Sequence, residues 1–188
     1  MKILTTPSNA AWEASSNADG SKFYRAQGAA ILETDVSTGT EKEVYREPIG
    51  YVRDLAVSPD GASIAYVSHQ PAPADKPELY GPVHIKVVHL PTGRSRELVA
   101  VRPAWHRRMM TWTPDGKDLI YATEWYAGKS QPTRLWRVPA AGGTPVQLGK
   151  DFSGRVFGLV VSPDGKQLGF DESNGTQEFY AIEGLFPR

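Results

Sequence analysis

Ser58-Pro59-Asp60-Gly61 returns along the chain as Thr113-Pro114-Asp115-Gly116 and Ser162-Pro163-Asp164-Gly165, and in degenerate form as Asn17-Ala18-Asp19-Gly20. The aspartates stand 41, 55 and 49 residues apart. Steps of this length are those of repeats in which each unit is a four-stranded blade. The element reads as a tight turn. Proline presets φ at the second position, aspartate folds its side chain back on the backbone, and glycine supplies the positive φ that a hairpin needs. Recurring aspartates also suggest metal binding or acid catalysis, but turn chemistry accounts for them without either.

The flanks repeat as well. An apolar strand precedes each turn: Leu55-Ala56-Val57, Met110-Thr111-Trp112 and Leu159-Val160-Val161. A strand ending in an aromatic follows: Ser63-Ile64-Ala65-Tyr66, Asp118-Leu119-Ile120-Tyr121, Gln167-Leu168-Gly169-Phe170 and, in the degenerate copy, Ser21-Lys22-Phe23-Tyr24. Their alternation has the period of a strand. Third strands are read at 30–34, 84–88, 134–138 and 178–182, and fourth strands at 42–45, 96–99 and 145–148. The last unit ends before a fourth strand. Lys2-Ile3-Leu4-Thr5 supplies one at the N-terminus, because Leu4 lies 13 residues before Asn17 and the other outer strands lie 14 or 15 before their turns. The expectation is one domain over residues 1–188. It is all-β, with sixteen strands in four antiparallel blades and the first strand closing the last blade, which removes exposed edges.

The composition narrows the function. Lys+Arg and Asp+Glu both number 21, so the formal net charge is zero, and a nucleic-acid partner is not expected. Cysteine is absent, which removes disulfides, thiolate metal sites and cysteine nucleophiles. The N-terminal residues have no apolar signal-peptide core, and no stretch approaches the length of a membrane span. Gly (18) and Pro (15) are abundant, as a turn-rich β protein requires.

The runs Trp112-Thr113-Pro114-Asp115-Gly116-Lys117, Leu135-Trp136-Arg137-Val138-Pro139-Ala140-Ala141-Gly142-Gly143 and Ser162-Pro163-Asp164-Gly165-Lys166 resemble the Pro-Asp variant of WD-type repeats in TolB-like β-propellers. The resemblance covers nearly the whole chain. It implies a non-catalytic propeller scaffold that binds a protein or peptide, in a periplasmic or other extracytoplasmic setting. Related repeats also form the non-catalytic propellers of prolyl-oligopeptidase-type enzymes, and in some sugar lyases the propeller itself carries the active site. Such propellers usually have six or more blades, and this chain encodes four. Three closures fit: a closed four-bladed ring, part of a larger ring, or a ring completed by a second chain.

Catalytic motifs are scarce. There is no Gly-x-Ser-x-Gly elbow. Gly128-Lys129-Ser130 has Thr123 where a phosphate loop needs glycine. His84 and His89 fall on opposite faces of one strand, and ordinary roles are assigned to every histidine except His106. No catalytic residue, metal ligand or cofactor is identified. Geometry does favour one face for binding. The Pro-Asp and Gly turns share the far face, so the longer connections gather on the near face at the channel mouth, where functional variation concentrates. Arg53, Trp105, His106, Arg107, Arg108, Trp125, Tyr126 and Arg155 lie in or just after those connections. Arginine forks beside aromatic rings suit a carboxylate, a phosphate or an acidic peptide segment. The expected partner is a protein or acidic peptide, with a small anionic ligand or glycan as the alternative.

Overall fold

The computed structural model describes residues 14–72, 74, 83–101, 109–123, 132–173 and 177–184. They form fifteen strands and no helix. The first blade contains β1 (Ala14–Ser16), β2 (Lys22–Gln27), β3 (Ala30–Asp35) and β4 (Glu41–Arg46). The second contains β5 (Tyr51–Val57), β6 (Ser63–His69), β7 (Val83–His89) and β8 (Arg94–Val101). The third contains β9 (Met110–Trp112), β10 (Asp118–Thr123), β11 (Thr133–Pro139) and β12 (Val146–Phe152). The fourth contains β13 (Arg155–Val161), β14 (Gln167–Ser173) and β15 (Gln177–Glu183). Each blade is an antiparallel sheet with its strands in sequence order. The strand expected at 2–5 lies outside the described residues. The four-bladed propeller architecture is the one the repeats predict.

The Pro-Asp turns are alike in atomic detail. Gly20, Gly61, Gly116 and Gly165 have φ of 69°, 69°, 68° and 70°, where a side chain would be strained. Each glycine N–H closes the turn on the carbonyl three residues earlier, at 2.8–3.1 Å. Asp60 Oδ1 accepts from the Ser58 hydroxyl (2.5 Å) and the Ala62 N–H (3.0 Å), and Asp115 and Asp164 repeat the pattern. Those bonds hold the three carboxyls below the ordinary aspartate value. In the degenerate copy Asn17 Oδ1 accepts from the Lys22 N–H, just as Ser58 Oγ accepts from Ser63. Asparagine thus replaces serine without loss of the turn.

The degenerate copy differs from the other three in register. Tyr66, Tyr121 and Phe170 each stand five residues after the turn glycine and pack toward the preceding blade. Tyr24 stands four residues after Gly20, and a one-residue step turns a strand side chain to the other face. Tyr24 therefore packs toward the second blade, and Arg25 takes the aromatic position.

The core is divided by blade interface. Between the first and second blades lie Tyr24, Ile31, Val52, Leu55, Ile64, Tyr66 and Val88. Ala65, Ile85, Met110, Leu119, Tyr121 and Val138 are among those between the second and third. Ile120, Leu135, Val156, Leu168 and Phe170 are among those between the third and fourth. Burying one such side chain stabilises by roughly 1.5–3 kcal/mol. A polar cluster also spans the first interface. Buried Glu47 accepts from Lys86 Nζ (2.6 Å), Tyr66 Oη (2.7 Å) and Tyr45 Oη (3.1 Å). Burial alone would raise the Glu47 pKa, but Lys86 and the two phenols hold it below the ordinary value.

Candidate binding face

The inner strands β1, β5, β9 and β13 converge on a cavity of about 480 Å³, lined in part by Ser15, Leu55, Val57, Trp112, Leu159 and Val161. The Trp112 indole N–H donates to the Ala56 carbonyl at 2.8 Å, fixing the ring between two blades. The Pro-Asp turns lie at one end of these strands. The near-face end of the second blade carries the chemically distinctive group.

Tyr51 and Arg53 alternate along β5, opposite His69 and Val67 of β6. All four occupy one face of the sheet, the side on which Val67 packs into the second-to-third interface. The Tyr51 and His69 rings stack 4.8 Å apart with 7° between their planes. The Arg53 guanidinium lies over the Tyr51 ring, 5.4 Å from its centroid. Burial, with Arg53 as a second cause, holds the His69 imidazole down to about 4. Near neutrality His69 is therefore uncharged, and Arg53 carries the full positive charge of the stack. A group with so low a pKa is poorly matched to carry protons at neutral pH.

Local backbone features position this group. A Cβ on Gly50 would sit 1.9 Å from the His69 carbonyl oxygen, so only glycine lets the chain enter β5 against the end of β6. Asp54 then takes a positive φ of 45° at a bulge. Its Oδ2 accepts from the Met109 N–H at 2.8 Å, tying the bulge to the entry of the third blade. Gly158 holds the equivalent place in the fourth blade, with φ of 68°. An aspartate in that conformation is uncommon, and here the tie to Met109 supports it.

Arg53 and Arg155 both lie on inner strands, and Arg53 is exposed. They are not equivalent. Counted back from the turns, Arg155 matches Tyr51, and Phe157 matches Arg53. Arg53 is gathered with Tyr51 and His69. Arg155 pairs with Ser173 on the fourth blade, on the face opposite Val156, which packs toward the third blade. Trp105, His106, Arg107, Arg108, Trp125 and Tyr126 lie outside the described residues. Sequence reasoning passed over Tyr51 and His69. Their signal was available in register: two residues beyond Arg53 on one strand and two beyond Val67 on its partner. Among the described residues, no three His, Asp or Glu side chains come together as a metal cluster.

No family model matches this sequence, and no curated sequence matches it significantly. Solved structures do share its fold. A putative TolB from Agrobacterium tumefaciens superposes with a TM-score of 0.69 at 21% identity, over 90% of this chain and 57% of that one. An oligogalacturonate lyase in complex with manganese gives 0.67 at 17% identity, over 90% and 49%. A chain of a nidogen/laminin complex gives 0.63 at 16% identity, over 92% and 64%. The chain thus spans about half to two thirds of the length of these structures. Together with the four repeated blades, these likenesses give the chain the fold of a TolB-like β-propeller.

Proposed function

We propose that this propeller is a binding scaffold whose near face receives an acidic peptide segment of a protein partner. The observation that carries this reading is the stack of exposed Arg53 and Tyr51 on a half-buried His69. It offers a planar cationic fork on an aromatic floor, built of two rings that stack across paired strands. Arginine presents paired donors to a carboxylate, and aromatic rings add contact area at little entropic cost. The neutral imidazole leaves this group better suited to recognition than to proton transfer. Arg107, Arg108, Trp105, His106, Trp125, Tyr126 and Arg155 belong to the same proposed face by their positions in sequence. The oligogalacturonate lyase of like fold supports the rival reading, in which the ligand is an anionic sugar and the face is catalytic.

Titration calorimetry with an Asp/Glu-rich peptide, a Lys-rich peptide and oligogalacturonate separates these readings. The acidic peptide is expected to bind, with affinity falling as salt rises. A charge-assisted hydrogen bond contributes about 1.5–3 kcal/mol, so Arg53→Ala should weaken binding about tenfold or more. The pair Arg107→Ala and Arg108→Ala should act in the same direction. Binding of oligogalacturonate alone, or its cleavage to an unsaturated product in the presence of manganese, would replace the scaffold reading with the lyase one.

A further inference from the structure

The three blade interfaces repeat one contact. The third residue after each turn glycine faces the preceding blade, and the cross-strand partner of the sixth faces the following blade. Ile31 of the first blade thus shares a cluster with Ile64 of the second. Ile85 of the second shares one with Leu119 of the third, and Leu135 of the third with Leu168 of the fourth. These six side chains are 0–4% exposed. The same rule assigns a fourth pair, Phe179 on β15 and Phe23 on β2. Both are large and apolar, yet Phe179 is 83% exposed and Phe23 40%. Val160, on the same flank as Phe179, is 59% exposed.

The turns show the same gap. A Cβ on Gly61 would contact Asn17 of the first turn, one on Gly116 would contact Pro59 of the second, and one on Gly165 would contact Pro114 of the third. Gly20, whose counterpart would be Pro163, has nothing within 4 Å. The inner strands agree. β1 packs beside β5, β5 beside β9 and β9 beside β13, with no comparable contact from β13 to β1 among the described residues.

We propose that a second copy of this chain fills this seam. The fourth blade of each copy packs on the first blade of the other, so that two chains join twice, head to tail, and close one ring. The two flanks are complementary because they are the unpaired ends of a series whose other members already fit one another. A head-to-tail contact that closes after one repetition gives a discrete ring, not a filament.

Light scattering and sedimentation on the full chain test this. The expected mass is twice 20.6 kDa, falling to a single chain on dilution. Phe179→Asp and Phe23→Asp should each yield monomers with unchanged β circular dichroism, since both side chains are exposed in one copy. An equimolar mixture of the two variants should recover dimer, because one of its two seams is intact. The chain has no cysteine, so the double variant Phe23→Cys with Phe179→Cys reports directly. Oxidation should give a covalent dimer. A single-chain mass at every concentration, or an intrachain crosslink in that double variant, would overturn the proposal.

Discussion

Ile31 and Phe179 hold the same place in their blades, each opposite the sixth residue after a turn glycine, yet one is fully buried and the other is 83% exposed. Phe23 and Ile64 form the same contrast on the opposite flank. In both pairs the backbone setting is shared and the residue types are all apolar. What differs is whether another blade stands alongside. Propeller stability therefore resides largely between blades, and a flank left unfilled among the described residues keeps the apolar pattern of a filled one.

The contrast between the filled interfaces and the seam is broken most severely inside the first interface. Lys86→Met would leave Glu47 buried without its cation. Breaking a buried pair in this way typically costs about 3–5 kcal/mol, which urea denaturation would read. The acid dependence should change too. The Glu47 pKa is depressed in the folded protein, so its stabilisation is present above the unfolded glutamate value of about 4.3 and is lost as pH falls through the folded value. Lys86→Met should remove that loss. A variant with unaltered stability at pH 7 would show that the cluster does not hold the blades together.

Leu135→Ala opens a cavity at the third interface and should cost about 2–5 kcal/mol. Phe179→Ala, measured at a concentration low enough for single chains, should stay within about 0.5 kcal/mol. Equal losses would mean that the fourth flank is covered in solution by the chain itself.

His69 sharpens the comparison at the near face. Its folded pKa of about 4 lies below the unfolded value of about 6.5. As pH falls, the unfolded chain takes up the proton first, so stability should decline between these two values and no further below them on account of this group. His69→Gln should flatten that part of the profile. An NMR titration giving His69 a pKa near 6.5 would show that the stack with Tyr51 is open to water.

The smallest effect lies in the degenerate turn. Ala18→Pro places proline where the other three turns carry it, and where the turn geometry is already matched by Gly20. The expected gain is roughly 0.4–1 kcal/mol, from a less flexible unfolded chain. A loss in thermal denaturation would mean that the first turn differs from its counterparts at its second position.

The blades, their turns and the order of their strands were determined by the sequence alone. Those features arise from local chemistry: a Pro-Asp-Gly turn with side-chain hydrogen bonds, and alternation with period two on either side of it. Even Asn17 for Ser58 is legible, since both supply an oxygen to the N–H five residues on. Tertiary structure decided the rest. The face Tyr24 occupies depended on a single residue of register after Gly20. The stack of Arg53, Tyr51 and His69 depended on the pairing of β5 with β6 and on the close approach at Gly50. The exposure of Phe23 and Phe179 depended on the absence, among the described residues, of a blade against either flank. A repeat pattern specifies what each face can pack against; only the arrangement of the whole chain settles which faces find a neighbour, because burial is a relation between surfaces and not a property of either one.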